Sequence, residues 1–128
     1  MKYLSDSGSV SLDIRVDYGE TLYRKFKIDN DNFIVTSDHE EVTIPVGLGT
    51  ISDWTYYDAE FLIWIPGHDK DYALFNFSNG GLVAVSDEIE LLQDLDLNKG
   101  IYKYHFKIET PTGQIIIVAK GNFIYKKE

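Results

Sequence analysis

The 128-residue chain is 44 % hydrophobic and 14 % aromatic, sized for one domain that buries roughly two thirds of the surface its unfolded form exposes. Its 21 acids against 12 lysines and arginines leave a formal charge of −9, which repels phosphate backbones and anionic lipid, so neither nucleic acid nor a membrane is an expected partner. Cysteine is absent, excluding disulfides, thiolate metal sites and cysteine nucleophiles. The longest apolar runs, Phe61–Ile65 and Ile115–Ala119, are far shorter than the about 20 residues of a membrane-spanning helix. Met1–Asp6 lacks the apolar stretch of a secretory signal, so a soluble chain made in the cytosol is expected.

In chain order, residues 1–8 read as a short arm ahead of a single domain spanning 9–128. Val10, Leu12, Ile14 and Val16 alternate with Ser11, Asp13 and Arg15, giving a first strand with one buried face. After a turn at 17–20, Thr21–Ile28 forms a second strand with Leu22, Phe26 and Ile28 on one face. Arg24 falls on that apolar face, a conflict resolved most simply near a sheet edge. Asp29-Asn30-Asp31-Asn32 is a turn, because Asn and Asp tolerate left-handed backbone and bond their own amides. Phe33–Thr36 and Glu41–Pro45 are short strands, and 46–53 is a loop carrying Gly47 and Gly49.

Glu60–Ile65 is apolar on both faces, as a central strand covered on each side would be. A turn at 66–71 leads into Tyr72–Phe77, and Ser78-Asn79-Gly80-Gly81 signals a hairpin into Leu82–Val85. Ser86–Leu97 stays open between strand and short helical turn: Ile89, Leu92 and Leu95 have helical spacing, whereas Ile89 and Leu91 suit a strand. Next, Tyr102, Tyr104, Phe106 and Ile108 alternate with Lys103, His105, Lys107 and Glu109, a strand with large aromatics on one side and charges on the other. Thr110–Gly113 turns the chain into a final strand from Gln114 to about Tyr125. Short strands numbering about eight to ten, with turns about every 8–12 residues, predict an all-β antiparallel sandwich.

Side chains that carry chemistry are scattered. His39, His68 and His105 lack the spacing of a zinc site and read as surface histidines. Asp29–Asn32 resembles the opening of a calcium loop, but Ile34 stands where such a loop needs glycine, so the turn reading is preferred. There is no Gly-x-Ser-x-Gly elbow, and Asp69 with Asp71 make no better case for a cation. No catalytic, cofactor or metal residue is assigned, and no cofactor is expected. The remaining candidates are Trp54, Tyr56 and Tyr57, bracketed by Asp53 and Asp58. They suit inward packing as a strand begins, a protein interface, or a platform for a sugar ring.

Two features narrow the architecture. Gly100-x-Tyr102 at the head of the aromatic strand is the pattern of a tyrosine corner, in which the hydroxyl bonds back to the chain a few residues upstream. Trp64, between aliphatic neighbours, reads as a core tryptophan like that on the third strand of immunoglobulin domains, and Tyr104 stands where such domains often carry a cysteine. With the Gly-rich turn at 78–81, the leucine-rich 90–97, Leu97-x-x-Gly100-x-Tyr102-x-Tyr104 and the closing Gly121-x-Phe123, the chain resembles immunoglobulin-like β-sandwich domains of bacteriophage tail and baseplate proteins. It resembles notably the N-terminal domain of baseplate upper proteins. The resemblance implies a non-enzymatic structural component of a phage or prophage tail, made in the bacterial cytoplasm and residing in the virion. It would dock to other tail or baseplate proteins or to copies of itself; no residue of that family carries over, and the interface positions expected from this sequence itself are Trp54, Tyr56, Tyr57 and the 1–8 arm. A carbohydrate-binding module on the same sandwich is the second reading.

Overall fold

A computed structural model describes residues 10–38 and 40–126. Eleven strands form: β1 (Val10–Ser11), β2 (Ile14–Val16), β3 (Leu22–Asp29), β4 (Asn32–Thr36), β5 (Glu41–Pro45), β6 (Asp58–Ile65), β7 (His68–Asn76), β8 (Val83–Val85), β9 (Glu88–Gln93), β10 (Gly100–Glu109) and β11 (Ile115–Tyr125). They build two sheets and no helix is present among the described residues. Sheet A runs β1-β11-β10-β6-β7, with β2 also on β11, and sheet B runs β5-β4-β3-β9-β8.

The orders β11-β10-β6 and β3-β9-β8 match the G-F-C and B-E-D rows of an immunoglobulin-type sandwich. The hairpin β4–β5 lies beside β3, where the first strand of that fold would pair. β1 and β2 run parallel to β11 instead. The predicted all-β sandwich is therefore the observed fold, and the 1–8 arm lies outside the described residues.

Alternation places the core where it was expected. Phe26 and Phe33 of sheet B stack with Phe106 of sheet A at centroid distances of 4.6 and 5.6 Å, and Phe61 stacks on Phe26 at 5.7 Å. All four rings are buried, as are Tyr102, Tyr104 and Phe123. Offset aromatic contacts of this kind contribute about 0.5–1.5 kcal/mol each beyond the area they bury. A bulge opposite Phe106 and Lys107 lets consecutive Val118 and Ala119 both point inward.

Two tyrosine hydroxyls tie strands to loops. Tyr102 Oη donates to the Asn98 carbonyl at 2.6 Å, the predicted corner, and fixes how the chain enters β10. Tyr102→Phe keeps the ring but leaves that carbonyl short of a donor, so a loss of about 1–3 kcal/mol is expected in denaturant titration. An unaltered midpoint would deny the bond its role. Gly100 is less demanding: a Cβ there would meet only the Tyr102 ring edge, at an ordinary 3.8 Å.

Four expectations need correction. The first strand is two pieces, because the chain swings out at Leu12–Asp13 and rejoins β11 at Ile14. The 78–81 turn is no hairpin, for β7 belongs to sheet A and β8 to sheet B. Asn76 and Asn79 cap each other's backbone N–H at 2.8 and 3.0 Å, and Gly81 passes so close to Phe75 that a Cβ would lie 2.7 Å from it. That close passage steers Leu82 into the core and the chain across to the other sheet.

Arg24 is not near an edge strand, since β3 is the middle of its sheet. Pairing with β4 starts only at Lys25, so the guanidinium leaves through the open flank to the carbonyls of Tyr23 and Arg15, at 2.7 and 3.2 Å. Trp64, expected in the core, points to the outer face of sheet A and is only half-buried; Ala59, Phe61 and Ile63 take the inner face of β6. The open segment 86–97 resolves as strand β9, whose Ile89 and Leu91 are buried against β3 while Leu92 is exposed.

Candidate functional site

Outward residues of β7, β6, β10 and β11 form three rows across all four strands of sheet A, set by strand register, with a further row Asp58–Glu109–Ile115 at one end. The first runs Tyr72–Trp64–Lys103–Asn122, the second Leu74–Leu62–His105–Lys120, and the third Asn76–Glu60–Lys107–Ile117. The β6–β7 half is thus largely apolar and aromatic, and the β10–β11 half carries Lys103, Lys107, Lys120 and His105. Glu60, Asp58 and Glu109 share this side, so the three lysines are matched by three acids and the face is locally balanced in a chain of charge −9.

Polar groups on this face are held in place. His105 Nε2 lies 2.7 Å from Glu60 Oε2, and Lys107 Nζ approaches the same oxygen at 3.4 Å. The Trp64 indole tilts against the His105 ring at 5.4 Å. Lys103 Nζ donates to Asn122 Oδ1 at 2.8 Å. Tyr72 is 54 % exposed, with Leu74 beside it, and Ile101 extends the apolar area at one end. The face therefore joins two rings, several aliphatic side chains and a bridged Glu60 on a rigid sheet.

The predicted aromatic cluster behaves differently from a platform. Trp54 is 3 % exposed and donates from Nε1 to the Asp87 carbonyl at 3.0 Å, with Tyr57 edge-on at 5.2 Å. Tyr57 is half-buried, and Tyr56 is 79 % exposed. Proximity in sequence thus brings Trp54 and Tyr57 together and turns Tyr56 away. Trp54 thus follows the inward-packing alternative, whereas Trp64, read as a core residue, faces outward. As an exposed docking or sugar-stacking ring Trp54 is a correction, because its indole is packed beneath the Asp53–Asp58 loop.

Other sequence candidates are occupied with structure. Asp31 accepts the Gly49 N–H at 2.8 Å through its carboxylate, and its carbonyl takes the N–H groups of Val46 and Gly47. Asp29 accepts the Thr50 hydroxyl at 3.2 Å. These bonds lash the left-handed Asn30-Asp31 turn to the 46–50 loop. No group of three or more His, Cys, Asp or Glu suited to a metal ion occurs among the described residues. His39 lies outside the described residues, and so do the side chains of His68, Asp69 and Asp71.

The Trp64–Tyr72–His105 face was missed from sequence, yet one signal for it existed. Lys103, His105 and Lys107 were legible as the outward side of their strand, and any strand paired with it in register must share that side. Comparison with protein-family models, curated proteins and solved structures gave no match.

Proposed function

We propose that the protein is a non-enzymatic docking module that acts through the outer face of sheet A. The observation that carries this reading is the row Tyr72–Trp64–Lys103 with its neighbours Leu62, Leu74 and His105. Trp and Tyr anchors beside aliphatic side chains are the composition of interface centres, and the surrounding charges of both signs supply orientation and partner choice. A pre-formed sheet face whose anchors are spread along strand rows is suited to another protein surface. The resemblance noted above makes the module a component of a phage or prophage tail or baseplate, docking to neighbouring tail proteins or to its own copies in the virion. The sandwich architecture is compatible with that role but common to many others.

The test is association of the full chain. Sedimentation over a wide concentration range, with and without candidate tail proteins, should reveal a complex that a Trp64→Ala, Tyr72→Ala double substitution weakens at least tenfold. Both side chains lie outside the inter-sheet core, so the double variant should keep its fold. A wild-type chain that stays monomeric throughout and binds no tail protein would count decisively against the proposal.

A further inference from the structure

The corner of the sandwich beside β8 has the features of a seat for one more strand. β8 is bonded on one side only, to β9, and no strand lies beyond it among the described residues. An edge strand presents alternate N–H and C=O groups outward, and charge or proline normally guards it. Val83-Ala84-Val85 has neither, and all three residues are exposed. Ala84 stands opposite the buried Ile89, so its side chain points between the sheets, yet it remains exposed. The space it faces is a cleft of about 430 Å³ walled by Trp54, Tyr57 and Phe77, with Asp53 and Asp58 on the rim.

This cleft is held open rather than left loose. The Trp54 indole is pinned by its bond to the Asp87 carbonyl, and Asp53 anchors the loop by accepting both the Thr55 hydroxyl and the Thr55 N–H. Those same bonds, the side-chain one first, hold the Asp53 carboxyl below the usual carboxylate range, so it stays charged at neutral pH. A cleft that joins the rings of Trp54, Tyr57 and Phe77 to the polar Asp53, Thr55, Asp58 and Ser86, beside an edge strand paired on one side only, is a specific combination.

We propose that β8 and this cleft bind an extended segment of a partner protein by strand addition, with a bulky apolar side chain in the cleft and a lysine or arginine nearby against Asp53 and Asp58. Main-chain bonds to β8 would supply affinity, and the cleft would select one side chain of the incoming strand. The period of two puts that side chain inward beside Ala84 while its neighbours line up with Val83 and Val85 on the outer face. The space holds the largest aromatic ring, and the two carboxylates favour a cation over an acid in the flanking position. This surface is centred on β8 and shares only Asp58 with the outer face of sheet A, so each can fail without the other.

The test pans the full chain against displayed random dodecapeptides and titrates the enriched sequences as synthetic peptides. Expected are alternating sequences with Phe, Trp or Leu flanked by Lys or Arg. On a Trp64→Phe background, where Trp54 is the sole indole, peptides free of tryptophan should change its fluorescence intensity. Ala84→Trp, which fills the cleft from β8, should weaken binding at least tenfold, whereas Val83→Thr should leave it unchanged. No enrichment over blank support, or equal binding to the Ala84→Trp protein, would overturn the proposal. Should Ala84→Trp fail to fold, Asp53→Asn with Asp58→Asn decides: the preference for cationic peptides should vanish, and its persistence would overturn the assignment.

Discussion

Phe106→Ala is expected to remove a large share of the protein's stability. Phe106 is the sheet A ring that meets both Phe26 and Phe33 of sheet B, so its loss opens a void where the two layers touch. Truncating a buried phenylalanine costs about 3–5 kcal/mol, transfer and cavity together. A domain of this size holds about 5–15 kcal/mol in total. The expected result in urea titration is a midpoint moved sharply down at unchanged slope, or no folded baseline. A loss below about 1 kcal/mol would mean that the sheets close up over the gap and that the stacked rings are not what joins them.

Gly121→Ala should be the most damaging of the small substitutions. A Cβ at Gly121 would lie 2.5 Å from the Leu12 carbonyl oxygen and 3.0 Å from Asp13 Oδ1. The neighbouring bonds explain why the chain sits so close. Leu12 N–H donates to the Lys120 carbonyl at 3.0 Å, Asn122 N–H donates to Asp13 Oδ1 at 3.0 Å, and the Tyr104 hydroxyl donates to the Leu12 carbonyl. Burial pushes the Tyr104 pKa well up, so the hydroxyl keeps its proton as donor. An added methyl must push Leu12–Asp13 away and strain all three bonds together.

A loss of about 3 kcal/mol, the upper end for overpacking, is expected. Gly100→Ala, with open space for its methyl, should stay within about 0.5 kcal/mol of wild type. Equal melting curves for the two variants would refute the close approach at Gly121.

Much of the fold was legible because β10 alternates cleanly and because Asp29–Asn32 and Thr110–Gly113 carry turn chemistry. The tyrosine corner was legible too, from Gly100-x-Tyr102 alone. What failed has a common cause: local pattern gives a strand its two sides but does not choose between them when both are apolar. In β6, Leu62 and Trp64 are as hydrophobic as Phe61 and Ile63, and only pairing with the charged side of β10 turns Trp64 outward. The 78–81 turn has hairpin residues, and nothing local reveals that the next strand joins the opposite sheet. Trp54 lies in a loop, where periodicity says nothing, and its burial depends on a carbonyl 33 residues away. The cleft beside Ala84 was equally hidden, since a small residue on a short strand carries no signal of the space in front of it.

The parallel run of β1 and β2 along β11 also governs how the sandwich would carry tension. With Val10 beside Ala119 and Val16 beside Tyr125, both strands point the same way. A pull that drew Val10 backward and Tyr125 forward would slide the strands lengthwise past each other. The ladder would then be loaded in shear, with its bonds sharing the force instead of peeling one by one.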